Sequence, residues 1–272
     1  MNKSIIIFGS GRRTQQDILP SLEYLKFSKN EIKIFSNNSK TIISRDQKYT
    51  VSSIKDCKKI NNEDLVYIAV STEAQSTVLE FVQNINKSAK IIIDTPANSY
   101  LKKNTFFNNI SIAEDVVALL SIMQKREVIK KSSFNFLFFR KSAFKYHAIS
   151  FIEYLNGAIF FQIKFLSFQI HFSSRGVAII LSERNYEKGS IYLNFKKIKF
   201  PVQLSKDEKK LIGGYSDYDT FSSRFLELKR IGLVKLISDT INNIPIVSVY
   251  DGINHVKKSK IMNSKIGIKI FI

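Results

Sequence analysis

Residues 5–25 read IIIFGSGRRTQQDILPSLEYL, and the fold follows from how this stretch is parsed. Four consecutive apolar residues, Ile5 to Phe8, have the pattern of a strand buried on both faces of a parallel sheet. Gly9-Ser10-Gly11 then turns the chain sharply. From Gln15 to Leu25 the apolar residues Ile18, Leu19, Leu22 and Leu25 fall at helical spacing. A strand, a Gly-x-Gly turn and a helix form a phosphate-binding unit. Glycines let the backbone approach a pyrophosphate closely, and the helix N-terminus offers unpaired N–H groups and partial positive charge. The third position of the dinucleotide fingerprint is Thr14 instead of Gly or Ala, so the motif is partial, although its context is complete on both sides.

Working outward, 272 residues with 44% apolar content can bury one large core or two smaller ones. No apolar run approaches the ~20 residues that span a bilayer, and the first strand starts where a signal sequence would otherwise stand, so no membrane association and a cytoplasmic location are expected. The single cysteine, Cys57, excludes an intramolecular disulfide framework and offers no metal cluster. A net charge of +19 raises the question of nucleic acid. The lysines are scattered, however, and the densest tracts, 125–131 and 194–200, are short and interrupted by apolar residues. They read as solvated faces, so no nucleic-acid partner is expected, and the charge instead favours an anionic small-molecule substrate.

Strands are expected at Glu31 to Phe35, Tyr49 to Ser53, Asp64 to Val70, Ala89 to Ile93 and Ile110 to Ala113. Helices are expected from Ser71-Thr72, as a cap, to Asn84 and from Asp115 to Lys130. This alternation specifies a Rossmann-type, doubly wound parallel sheet over residues 1–131. Ligands of such sheets lie beyond the carboxyl ends of the strands. That rule gathers Gly9, Ser10, Gly11, Arg12 and Arg13, then Ser36, Asn37 and Lys40, then Ser71, Thr72 and Gln75, and finally Asp94, Thr95 and Pro96 around one crevice. At the end of the second strand an acidic residue ordinarily holds the ribose hydroxyls of NAD. Ser36-Asn37-Asn38-Ser39-Lys40 stands there instead, and hydroxyls, amides and a lysine suit a 2′-phosphate. With Arg12 and Arg13 adding charge from the glycine turn, NADP is favoured over NAD.

From Ser132 the pattern changes to an α+β arrangement over residues 132–272, with an antiparallel sheet and helices on one face. It comprises a strand within 132–140, a helix from Phe144 to Leu155, a pair of long strands between Ala158 and Leu181, and more strand from Gly189 to Gln203. A mobile polar loop is expected from Lys206 to Ser216, helices from Tyr218 to Asn242 and Val249 to Met262, and a closing strand from Ile266. An open face on this sheet would support homo-oligomerisation.

The chain resembles the Gfo/Idh/MocA (glucose–fructose oxidoreductase / inositol dehydrogenase) family at four places. These are the glycine turn; DLVYIAVSTEAQ, with Ser71 and Gln75 where the family has Pro and His; IIIDTPAN, with Asp94-Thr95-Pro96 at the Glu-Lys-Pro motif; and YHAISFIEYLNG, with His147 and Gly157 at the His and Gly of a His-x-x-Asp segment. The resemblance implies hydride transfer between a nicotinamide and a carbonyl or imine carbon of a sugar-like substrate. It also implies a catalytic role for His147 as proton donor or acceptor, with Thr95 as a hydrogen-bonding contributor. The departures fall on the chemistry. Thr95 replaces the motif lysine, Ala143 the Asp four residues before the His, and Ser150 the Asp three after it. The alternative implied is a family member that retains the cofactor fold and acts as a binding or partner subunit.

Overall fold

The structure is a computed structural model that describes residues 4–96, 109–125, 134–140, 149–150, 152–155, 157–164, 168–183, 191–193, 196–197, 203–214, 216, 224–244 and 267–270. The chain divides into two compact units, one of Met1–Asp115 with Leu233–Ile253 and one of Val116–Gly232 with Asn254–Ile272. Among the described residues, each unit is built on a seven-stranded sheet.

The first sheet contains β1 (Ile5–Phe8), β2 (Ile32–Ser36), β3 (Lys40–Ser44), β4 (Gln47–Ser53), β5 (Leu65–Ile68), β6 (Lys90–Ile93) and β7 (Ile110–Ile112). Their order is β3-β4-β2-β1-β5-β6-β7. Every pairing is parallel except that of β3 with β4. With β3 set aside, the order is the 3-2-1-4-5-6 of a dinucleotide-binding sheet, with its switch point beside β1. Each residue of β1 and β5 is buried, as expected of apolar runs in a parallel sheet covered on both faces. The register pairs Phe8 with both Phe35 and Ile68, Ile68 with Ile93, and Ile93 with Ile112. The connections leaving β1, β2, β5, β6 and β7 therefore start at one edge.

β3 is an addition to the sequence reading, which left residues 41–48 unassigned. Arg45 and Asp46, both at positive φ, form a two-residue hairpin turn between Ser44 and Gln47. Such turns favour two left-handed residues, and without an Asn-Gly or Asp-Gly signature the turn left little trace in the sequence. Lys40 accordingly begins a strand instead of sitting in a loop. The helix after β1 is also more elaborate than its spacing suggests. It opens at residue 12, widens to a π turn over Thr14–Ile18, and continues as α1 (Leu19–Tyr24). Pro20 lacks an N–H, so a carbonyl one turn back is left without its partner. The Ser44 hydroxyl donates to the Gln15 carbonyl at 2.6 Å, which ties β3 to the widened turn.

The next helix, α2 (Gln75–Ile85), is capped at Ala74 rather than at Ser71-Thr72. Ser71 instead closes a turn, its carbonyl accepting from the Ala74 N–H. α3 spans Asp115–Lys125.

The second sheet contains β8 (Phe134–Arg140), β9 (Ile159–Lys164), β10 (Phe168–Ser173), β11 (Gly176–Glu183), β12 (Ile191–Leu193), β13 (Lys196–Lys197) and β14 (Gly267–Ile270). The order is β13-β12-β8-β11-β10-β9-β14. The sheet is antiparallel, as expected, at every pairing except that of β8 with β11, which is parallel. The expected pair of long strands between 158 and 181 is three strands, since Ser174 and Arg175 turn the chain back so that Ser173 faces Gly176. The turn hides inside a Phe- and Ile-rich run.

Residues 149–150 and 152–155 are helical (α4), with Ile149, Ile152 and Leu155 buried. The expected mobile loop from Lys206 is instead α5 (Lys206–Leu211). Its Ser205 hydroxyl accepts from the Glu208 N–H while the Glu208 carboxylate accepts from the Ser205 N–H. This reciprocal cap, with Leu211 and Ile212 buried behind it, outweighs the polar composition and the two glycines that follow. α6 spans Phe225–Ile241, and Lys90 Nζ donates to the Ile241 carbonyl at 2.6 Å. The expected helix from Val249 lies outside the described residues. Among those described, no helix is long and apolar enough to cross a membrane.

Candidate functional site

The turn after β1 contains two glycines in opposite surroundings. Gly9 has φ +115°, and a Cβ on it would lie 2.1 Å from the Ala69 carbonyl oxygen. Its N–H donates to the Phe35 carbonyl at 2.8 Å, so it joins the end of β1 to β2, and its packing against Ala69 admits no side chain. Gly11 is exposed, and a Cβ on it would meet no protein atom within 4 Å. Among the described residues, nothing crowds that position.

Side chains hold the turn from behind. Thr14, fully buried at the third fingerprint position, donates from Oγ1 to the Gly9 carbonyl at 2.8 Å. Gln15 Nε2 donates to the carbonyl of the buried Ser10 at 2.9 Å. The threonine thus joins helix to strand by a hydrogen bond, where the fingerprint's small residue would do so by close contact. The helix that starts here leaves its first N–H groups facing the turn, a fit for an anion.

Arg12 and Arg13, adjacent in sequence, have different surroundings. Arg12 is exposed, its Nε donating to Gln16 Oε1 at 2.6 Å. Arg13, expected to add charge beside a 2′-phosphate, is enclosed by three carboxylates. Its Nε meets Asp94 Oδ1 at 3.2 Å, its Nη1 meets Asp17 Oδ2 at 3.1 Å, and its Nη2 meets Asp115 Oδ2 at 2.9 Å. Burial alone would make the guanidinium easier to deprotonate. Asp94, Asp115 and Asp17 reverse that and hold it charged well above the ordinary arginine range. Tyr67, buried in β5, donates to Asp94 Oδ1 at 3.1 Å. Burial and the Asp94 charge push its phenol well above its ordinary value. Asp17, Tyr67 and Asp115 were not among the expected site residues. Asp115 was read only as a helix start, and a buried tyrosine in an apolar strand carries no separate signal.

After β2, Ser36 Oγ donates to the Asn38 carbonyl at 2.7 Å, while Asn37 and Lys40 are exposed. Lys40 makes no ion pair with the described residues. On the far side of β1, Ser71 is exposed and Thr72 half-buried beside the turn that precedes α2. Gln75 is buried and donates from Nε2 to the carbonyls of Asp94 at 2.9 Å and Pro96 at 3.1 Å. It therefore fixes the path of the Asp94-Thr95-Pro96 turn, whose Thr95–Pro96 peptide is cis. Thr95 is half-buried. The structure thus gathers the expected residues of the first unit at one sheet edge, while His147 lies outside the described residues.

Two other groups resolve as structural. Cys57 is buried, and that burial pushes its thiol above the usual range, the opposite of an activated nucleophile. His171 in β10 is fully buried between Gln162 Nε2, 2.8 Å from Nδ1, and Gln169 Oε1, 3.1 Å from Nε2. Burial lowers its pKa to about 3, against a smaller opposing effect of Glu153, so the ring is neutral. No cluster among the described residues could hold a metal ion.

No family profile and no curated protein matches the chain. Solved structures do. Myo-inositol 2-dehydrogenase from Lactobacillus plantarum aligns at 12% identity with TM-score 0.59, covering 100% of both chains. Scyllo-inositol dehydrogenase from Lactobacillus casei, with bound NAD(H) and scyllo-inositol, aligns at 9% identity with TM-score 0.62 over 99% of each chain. Levoglucosan dehydrogenase in complex with NADH and levoglucosan aligns at 10% identity with TM-score 0.59 over 97% of each chain. A likeness end to end at such low identity is a likeness of architecture, and the chain has the fold of the Gfo/Idh/MocA oxidoreductases.

Proposed function

We propose that the chain is a divergent Gfo/Idh/MocA oxidoreductase that uses a nicotinamide dinucleotide. The observation that carries this is Gly11, which stands at the switch point of a dinucleotide-type sheet with open space where its side chain would be. The backbone of Gly9 to Arg13 would hold the pyrophosphate. Ser36, Asn37, Lys40 and Arg12 would hold the adenosine ribose, while Ser71, Thr72 and the Asp94-Thr95-Pro96 turn would border the nicotinamide side. When bound, the cofactor supplies or accepts hydride, and the protein orients it against the substrate.

Lys40 and the missing carboxylate after β2 favour NADP, with Arg13 taking no part in that choice. Two of the structural neighbours were solved with NAD(H) or NADH, so the two cofactors must be compared directly. Thr95 can give or accept a hydrogen bond but offers no ammonium. The proton for an alkoxide or carbonyl oxygen would come from His147, whose ordinary pKa of roughly 6.5 suits exchange near neutrality. The substrate class would be a sugar or polyol, in keeping with the neighbours, with an anionic group suited to a chain of net charge +19.

A second reading, cofactor binding without catalysis, is favoured by Thr95 at the lysine position and by the buried Ser150 in place of the aspartate. Calorimetric titration with NADPH and NADH tests the first step. Binding of at least one is expected, tighter for NADPH, and Gly11→Val should abolish it without lowering Tm. Binding of neither by the wild type overturns the proposal. Turnover of a panel of polyols and keto-sugars, followed at the nicotinamide absorbance, then separates enzyme from binding subunit.

A further inference from the structure

We infer that Arg13 is a positioning residue that sets the spacing between the pyrophosphate turn and the Asp94-Thr95-Pro96 turn, and so controls affinity for NADH and NADPH alike; this rests on the cofactor reading above. Three features lead there. The first is reach. β1, β5, β6 and β7 are consecutive in the sheet, and one guanidinium on the helix after β1 contacts Asp94 at the end of β6 and Asp115 after β7. Tyr67 of β5 joins through Asp94. Arg13 thus straps together the connections that border the crevice.

The second is shape. The planar fork serves three carboxylates at once through three different nitrogens, which a lysine, a single point charge, cannot reproduce. The third is charge. Three carboxylates surround one cation at the edge where an anionic pyrophosphate would sit, so loss of Arg13 would both loosen the turn and leave negative charge beside the ligand. Each of these acts on the part that NADH and NADPH share. The 2′-phosphate would be read elsewhere, by Lys40 and its neighbours.

The test compares the wild type with Arg13→Gln, Arg13→Lys, Asp115→Asn and Lys40→Ala, titrating each with NADH and NADPH and recording Tm. Arg13→Gln is expected to weaken both cofactors by the same factor, about tenfold or more, the scale of a coupling carried between two sites through packed groups. Arg13→Lys should recover part of that loss, and Lys40→Ala should instead change the NADPH-to-NADH ratio. A loss confined to NADPH in Arg13→Gln would mean that the residue reads the 2′-phosphate and would overturn the inference. So would unchanged affinity in a folded variant with lowered Tm, the mark of a purely structural ion pair. If Arg13→Gln does not fold, Asp115→Asn carries the same readout: a several-fold equal loss of both cofactors supports the strap, and no loss overturns it. If the wild type binds neither cofactor, the function proposed above fails, and amide exchange without ligand decides the strap alone. Faster exchange of residues 9–13 in Asp115→Asn supports it, and unchanged exchange overturns it.

Discussion

Among the described residues the two sheets have the same number of strands and opposite logics of burial. In the first, β1 and β5 are buried at every position, and both faces are apolar. In the second, β10 buries Gln169, His171 and Ser173 and leaves Ile170 and Phe172 partly exposed. Cross-strand partners continue the pattern. Gln162 lies opposite His171 on the buried side, while Ile170 faces Ile163 and Ile179, and Phe172 faces Phe161 and Val177. Ile268 and Ile270 of the edge strand β14 extend the apolar side at 69% and 67% exposure. A bulge at the start of β9, where Ser173 pairs with Ile159 and Phe172 with Phe161, leaves Phe160 over as an extra residue, half exposed. Alternation tells which residues share a face, and here it misleads about which face is inward.

Three measurements would break or sharpen this contrast. The largest effect is expected from Ile92→Ala in the first sheet. Ile92 is fully buried in β6, so the cavity should cost about 2–5 kcal/mol in denaturant unfolding. A loss below that range would mean that the covered sheet repacks easily.

The next concerns His171. Because the folded-state pKa, about 3, lies below the unfolded value of roughly 6.5, the unfolded chain binds more protons between those pH values. This residue's stabilising contribution is complete above about pH 6.5 and is lost progressively as pH falls towards 3. His171→Gln should flatten that part of the Tm-against-pH curve, with unchanged slope as the contrary result. The first sheet buries no histidine and provides a built-in contrast.

The smallest effect is expected at Ile270→Lys. An exposed apolar side chain replaced by a charged one should shift monomer stability by only about 0.5 kcal/mol either way. A loss of several kcal/mol, measured at low protein concentration, would show that something covers this face.

The difference between the sheets also explains what could be read from sequence. Ile5 to Phe8 followed by Gly-x-Gly allows one structural parse, and the switch-point rule then located the edge where Gly9, Lys40, Gln75 and Asp94 assemble. The Arg45-Asp46 and Ser174-Arg175 turns lack the residues that usually advertise a hairpin, so β3 and the division between β10 and β11 stayed hidden. The roles of Arg13, Tyr67 and Asp115 were hidden for another reason. Their contact spans up to 102 positions in sequence, and pairing at that distance leaves no local pattern. Ser205-x-x-Glu208 was legible as a capping box, yet the polar composition and Gly213-Gly214 suggested a loop.

The proline in the first helix has a consequence for aim. An α-helix advances about 100° per residue, so one residue absorbed or released within it rotates everything on its N-terminal side by about that angle relative to the buried face of Ile18, Leu19 and Leu22. The wide turn over Thr14–Ile18 absorbs such a step, and Pro20, with Ser44 on the Gln15 carbonyl, keeps it open. Were that turn to close into ordinary helix, Arg13 would swing away from Asp94 and Asp115 while Gly9 stayed bonded to the Phe35 carbonyl. The phase of the helix, fixed by a residue that cannot donate a hydrogen bond, therefore determines where an arginine seven positions earlier points.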